Sequence, residues 1–282
     1  MSLRKMLGWA AVLLTMGGCA MSRGTGPGSL EQRPAETGGL TEKEFQALHE
    51  LRQDAAPAPR GQWVEVDGTR AYLSLPEGAR TPLPGVLVIH EWWGLNEHIL
   101  HWADRLAAQG YAALAVDLYG GEVATTPEQA MAAMKKVDPE RTLGILRAAH
   151  AFLVTDRRVQ ATHTGIIGWC FGGGQALRGG IALPELDAVV VYYGQPVLDV
   201  QVLKSIQGPV LALFGTKDES IPLEKVRQFD EALSDAGVAH RIITYDARHA
   251  FANPSGARYD AEAAAAAWEQ TRAFLAEHLK QE

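Results

Sequence analysis

From Trp63 onward the chain alternates apolar and polar residues. Trp63-Val64-Glu65-Val66 is followed by the turn signal Asp67-Gly68, and residues 70–75 alternate again, which predicts a β-hairpin. Unbroken apolar runs then replace the alternation, at residues 85–89, 112–116, 165–168, 188–192, 210–214 and 241–245. Such runs predict strands buried on both faces, as in a parallel sheet covered by helices. Helical spacing fills the intervals: 97–109, ending at Gly110; 127–136; 140–153; 223–236, between Pro222 and Gly237; and the alanine-rich 259–279. An antiparallel start followed by alternating strand and helix, without an internal repeat, predicts one α/β domain over 61–282 with a mostly parallel central sheet flanked by helices.

The first sixty residues read differently. Arg4 and Lys5 precede an apolar stretch over 6–16 and then the small residues Gly17 and Gly18, the pattern of a secretory signal over 1–19. The apolar stretch is short for a membrane-spanning helix. Met16-Gly17-Gly18-Cys19 resembles a bacterial lipobox, which would make Cys19 the lipid-bearing first residue of an exported, periplasmic protein. Ala20 after that cysteine points to the outer membrane. The alternative is an ordinary leader cut near Ala20. Residues 20–60 form a linker, rich in Gly, Pro and Ser over 21–39. A short helix is predicted over 41–54, with Thr41 as N-cap, Glu44 three residues on, and Phe45, Leu48 and Leu51 on one side.

The chemistry is signalled at Gly168-Trp169-Cys170-Phe171-Gly172. A nucleophile bracketed by glycines two residues either side, after an apolar strand and before a helix, is the elbow of the α/β-hydrolase fold, with cysteine in place of serine. The glycines let strand and helix approach closely, and the helix N-terminus favours thiolate. Such an elbow needs an acid and then a histidine at later strand ends. Asp218 follows the run at 210–214, and His249 follows the run at 241–245. His249 would move protons to and from Cys170 and water, while Asp218 would fix the imidazole tautomer. Asp246 and Glu219 are rivals for the acid role, though neither sits at the usual loop offset.

Composition narrows the alternatives. The net charge of −7 offers no basic surface to nucleic acid. Only two cysteines are present, one in the leader, so Cys170 has no resolving thiol for a dithiol cycle. No Cys and His cluster suggests a metal, and nothing calls for an organic cofactor.

From Trp63 to the C-terminus the chain resembles the dienelactone hydrolase family. The resemblance rests on His90-Glu91-Trp92-Trp93-Gly94-Leu95-Asn96, Asp117-Leu118-Tyr119, Gly168-Trp169-Cys170-Phe171-Gly172-Gly173-Gly174 and His249-Ala250-Phe251, in that order. It implies an α/β-hydrolase that opens small-molecule esters or lactones through a thioester on Cys170, and a monomer. It also implies that Glu91 contacts the resting nucleophile and helps form thiolate when substrate arrives. The backbone N–H groups of Trp92 and Phe171 would form the oxyanion hole. Trp93, Trp169, Tyr119 and Phe251 suggest an aromatic-lined pocket. The pattern departs from the family where two carboxylate-binding arginines are expected. Gly120-Gly121 stands at one place and Asn253 at the other, with Arg248 and Arg258 as possible substitutes. The alternative function is a weakly active or inactive small-molecule binding protein on the same fold.

Overall fold

The structure, a computed structural model, describes residues 58–280. The expected signal over 1–19, with Cys19, and the predicted helix at 41–54 lie outside the described residues. Eight strands form one sheet: β1 (Gln62–Val66), β2 (Thr69–Ser74), β3 (Gly85–Ile89), β4 (Ala112–Val116), β5 (Thr164–Trp169), β6 (Ala188–Tyr192), β7 (Val210–Gly215) and β8 (His240–Tyr245). Their spatial order is β1-β2-β4-β3-β5-β6-β7-β8. The hairpin joins antiparallel through β2 to β4, and every later pairing is parallel. The helices are α1 (Glu97–Ala108), α2 (Pro127–Lys135), α3 (Pro139–Thr155), α4 (Phe171–Ala182), α5 (Val200–Leu203), α6 (Leu223–Ala236) and, after the last strand, α7 (Ala261–Leu279).

Capping chemistry sets the helix ends. Asn96 accepts from the Ile99 amide at the start of α1, and Asp138 does the same for Arg141 at α3. Gly237 closes α6 with φ +74°. The last helix begins at Ala261 rather than 259, because Asp260 accepts the Ala263 N–H and acts as its cap. Four-residue α5 went unpredicted; it too rests on a capping aspartate, Asp199.

Side-chain alternation along β5 shows how helices cover both faces. A side chain at Gly165 would meet Leu279 of α7, whereas the next residue, Ile166, packs against Gly179 of α4. On the α7 face, α1 joins through rings: Trp102 lies 5.3 Å from Trp268, and the Arg105 guanidinium stacks on both. The five strands β3 to β7 are buried throughout. The expectation of full burial fails for β8, which is half-exposed along its length. It is the sheet edge, paired only with β7.

Candidate active site

The elbow joins β5 to α4. Cys170 has φ +53° and ψ −117°, a conformation that costs on the order of 1–3 kcal/mol for a non-glycine residue and persists only where its surroundings impose it. Here they do. The Cys170 N–H donates to the Tyr192 carbonyl of β6 at 3.0 Å, and its own carbonyl accepts the Gly174 N–H at 3.1 Å. A Cβ on Gly168 would overlap the Gly172 carbonyl, and one on Gly172 would overlap the carbonyls of Ile89 and His90. Both bracketing positions are therefore closed to any side chain. Two more non-glycine residues with positive φ stand at neighbouring strand ends: Tyr193 (+36°) after β6 and Ala250 (+61°) beside His249.

Asp218 and His249 come from adjacent loops that are tied together. Thr216 N–H donates to the Tyr245 carbonyl at 2.7 Å, and Lys217 N–H to that of Ala247 at 2.9 Å. This brings His249 Nδ1 to 2.6 Å from Asp218 Oδ2 in a buried pair. The other oxygen, Oδ1, accepts the N–H groups of Ser220 and Ile221 and the Ser220 hydroxyl at 2.6 Å. Burial alone would raise the carboxyl of Asp218, but His249 and these donors overcome it and hold the group below its usual range. Burial would likewise lower His249. The negative charge of Asp218, the nearby Cys170 and the hydrogen bond to Asp218 carry it well above the usual imidazole range instead. Asp218 and His249 are thus joined by a hydrogen bond, and Cys170 lies close enough to His249 to act on its charge. Both rivals for the acid face water: Asp246 pairs with Lys217 at 2.9 Å, and Glu219 is exposed.

Sequence reasoning missed Ser220, whose hydroxyl lies 3.0 Å from His249 Nδ1 and bridges the imidazole and the aspartate. Its position two residues after an aspartate, in a loop, is the local signal that could have found it.

Glu91 is buried after β3, with Asn253 Nδ2 donating to one oxygen and the Tyr193 hydroxyl to the other, the latter at 3.3 Å. Asn253 stands where the family resemblance expects an arginine, and it holds Glu91; its own carbonyl oxygen accepts the Ser255 N–H. Tyr193 and Asn253 also escaped sequence reasoning. Burial pushes the Glu91 carboxyl up to about 7, although His249, Asn253 and Tyr193 oppose the shift. Between its ordinary 4.5 and about 7 the native protein keeps a proton that the unfolded chain releases, so stability falls as pH rises through that window. Glu91→Gln removes this cost while retaining a partner for each neighbour. The variant is expected to exceed the wild type by about 3 kcal/mol at pH 8 and to match it near pH 4, read by urea unfolding at both values. An equal difference at the two pH values would refute the raised pKa.

Of the predicted pocket residues, Trp93, Trp169 and Phe251 are buried and Tyr119 is half-buried. Trp92 and Trp93 meet edge to face, 5.0 Å apart, and pack against Ala124, Ala130 and Met131, which fastens α2 over this corner. Tyr119 lies against His90 and Phe171; burial raises its phenol, and the nearby Cys170 raises it further. Trp169 and Phe251 belong to the main core, and Trp92 and Trp93 to a smaller one. Trp169 shares the face of Gly165 and stacks on Trp102 at 4.9 Å, because side chains two and four residues apart on a strand point the same way. Phe251 is buried among Tyr192, Tyr193 and Tyr245. Arg248 is exposed and Arg258 half-buried.

A mostly parallel eight-stranded sheet with a strained elbow after β5 and an acid and a histidine after β7 and β8 defines an α/β-hydrolase. The family model described as the dienelactone hydrolase family matches residues 69–279. A Synechocystis sp. protein that carries the name carboxymethylenebutenolidase is 34% identical over 227 residues, which cover 74% of this chain and 92% of that protein. A Klebsiella pneumoniae structure named as a dienelactone hydrolase is 30% identical with a TM-score of 0.71, covering 77% of this chain and 98% of that one. A dienelactone hydrolase-like promiscuous phosphotriesterase from metagenomic libraries is 26% identical with a TM-score of 0.69, covering 78% and 98%. The chain belongs to the dienelactone hydrolase family and is a hydrolase.

Proposed function

We propose that this protein hydrolyses carboxylic esters or lactones of small molecules through an acyl-enzyme on Cys170. The observation that carries the reading is the buried Asp218–His249 pair, with Cys170 close enough to act on His249 from the tip of a strained elbow. His249 takes the thiol proton and the sulfur attacks the carbonyl carbon, forming a C–S bond. The oxygen becomes negative beside the backbone N–H groups of Trp92 and Phe171. The tetrahedral adduct collapses, the ester C–O bond breaks, and His249 returns the proton to the leaving alcohol. Water then loses a proton to His249, attacks the thioester and releases the acid with the thiol. Asp218 stabilises the imidazolium in each half-reaction.

The neutral amide at Asn253 and the glycines at 120 and 121 favour an uncharged substrate over one that carries a carboxylate, and Trp92, Trp93, Tyr119 and Phe171 favour an apolar one. Brief mixing with 4-nitrophenyl acetate, acid quench and intact-mass analysis tests the route. An acetyl adduct on Cys170 is expected, and a protein that releases nitrophenolate without that adduct, or binds the ester without releasing any, would exclude it.

The leader supports a place as well: export and lipid attachment at Cys19, with the domain held at the periplasmic face of the outer membrane. Expression with an alkyne-labelled palmitate should tag the wild type and leave Cys19→Ala unlabelled. Equal labelling of both would exclude the anchor.

A further inference from the structure

The first residue after β3, His90, is fully buried and is given no part in the proton transfers above. Its Nε2 lies 3.1 Å from the Leu118 N–H, and Nδ1 lies 2.6 Å from the Glu91 carbonyl oxygen. An amide N–H can only donate, so Nε2 is the bare nitrogen and Nδ1 carries the hydrogen that the Glu91 carbonyl accepts. Burial favours this neutral form by lowering the imidazole pKa, against opposition from the Glu91 carbonyl and the charge of Asp117. His90 is therefore a neutral cross-link between the loop after β3 and the loop after β4. Asp117 sets the second loop by accepting the N–H groups of Tyr119 and Gly121.

The carbonyl that His90 holds belongs to the same peptide unit as the Trp92 N–H. In a trans peptide the C=O and N–H point in opposite directions within one rigid plane. Pinning the Glu91 oxygen on one side therefore aims the Trp92 N–H to the other, and the Gly94 N–H, 3.2 Å from the same oxygen, reinforces the hold. The imidazole also stacks on the ring of Phe171, with centroids 5.9 Å apart and planes inclined by 24°. One side chain thus touches the peptide that presents the first proposed oxyanion donor and the residue that presents the second.

We infer that His90 is the positioning residue of the oxyanion hole: it aims the Trp92 amide through the Glu91 carbonyl. The inference rests on the proposed acyl-transfer reading. It separates two reactions of the same thiol. Ester attack builds charge on a carbonyl oxygen and needs the aimed amides. Alkylation by iodoacetamide displaces iodide from a CH₂ carbon and builds no such charge.

The test compares His90→Asn and His90→Gln, both polar and close in volume. Asparagine places a donor near Nδ1 and keeps the hold on Glu91. Glutamine places an acceptor near Nε2 and keeps only the bond from Leu118. Acylation of Cys170 by 4-nitrophenyl acetate, measured as a pre-steady-state burst, is expected to slow by about 10- to 100-fold in His90→Gln and by less than about fivefold in His90→Asn. Iodoacetamide alkylation should stay within about twofold of wild type in both, because no oxyanion forms. Equal losses in the two variants, no loss in His90→Gln, or alkylation that falls with acylation would overturn the assignment. A wild-type protein that alkylates at Cys170 but never acylates there would instead overturn the acyl-transfer reading, and the inference with it.

Discussion

Replacing Cys170 with alanine is expected to lower kcat/KM on a short aryl ester by about 10⁵-fold. The size follows from what remains. Without sulfur no acyl-enzyme can form, and His249 and Asp218 have no thiol to serve; only binding and the amides near Trp92 and Phe171 continue to help a water attack. The cost to the fold is expected to be small. Alanine retains the Cβ, so the backbone at φ +53° keeps its side-chain constraints, and only the sulfur atom is lost from this buried position. A thermal midpoint within a few degrees of wild type, beside the collapse in rate, would separate loss of chemistry from loss of structure. A variant that retained a tenth or more of the wild-type rate would mean that another group attacks the ester.

The second large effect is expected from Asp218→Asn, with a fall in kcat of about 10⁴-fold. The amide matches the carboxylate in shape but carries no charge. It can also turn its NH₂ toward His249, which would drive the imidazole to the wrong tautomer. The dense donor set on Oδ1, from Ser220 and Ile221, suits an acceptor and keeps the amide oxygen there, which leaves the NH₂ facing Nδ1. The variant should also show a defined stability profile. His249 is raised above its usual 6.5, so its contribution is complete below that value and is lost as pH rises through the folded pKa. Asp218 is lowered below its usual 3.8, so its contribution is complete above that value and is lost as pH falls through the folded pKa. Both contributions are full between 3.8 and 6.5, and there the deficit of Asp218→Asn should be widest, narrowing on either side. Urea unfolding across pH 3 to 9 reads this directly. A deficit independent of pH would show that the pair is not charged in the native state.

The site balances opposite electrostatic demands in a few ångströms. Asp218 is kept charged by surrounding donors, whereas Glu91, equally buried, has only two and rises to about 7. One carboxyl therefore serves as a fixed charge, and the other can take up or release a proton near neutrality. His90 is held neutral and His249 is drawn toward the charged form, a contrast set by whether the ring nitrogen meets a peptide group or a carboxylate.

Much of this was legible in the chain because it is local. The elbow is written in five consecutive residues, since the close approach of strand and helix admits only glycine at 168 and 172. Strand and helix extents followed from periodicity and caps, to within a residue or two. Cys170, Asp218 and His249 could be named because each follows an apolar strand, and the carboxyl ends of parallel strands converge on one edge. What escaped depended on partners distant in sequence. Glu91 meets Tyr193 102 residues away and Asn253 162 residues away, and no pattern near position 91 encodes either contact. Trp169 and Phe251 looked like pocket walls by neighbourhood alone, but strand alternation and ring packing turned them into the core. The sequence by itself determined the elements, the elbow and the candidate chemistry, because backbone strain and hydrophobic period act over a few residues. Tertiary structure alone decided the strand order, the exposed edge at β8, the pairing of Glu91 with Asn253 and the cross-link at His90, because burial and hydrogen bonding in a crossed-over sheet join residues that the chain keeps far apart.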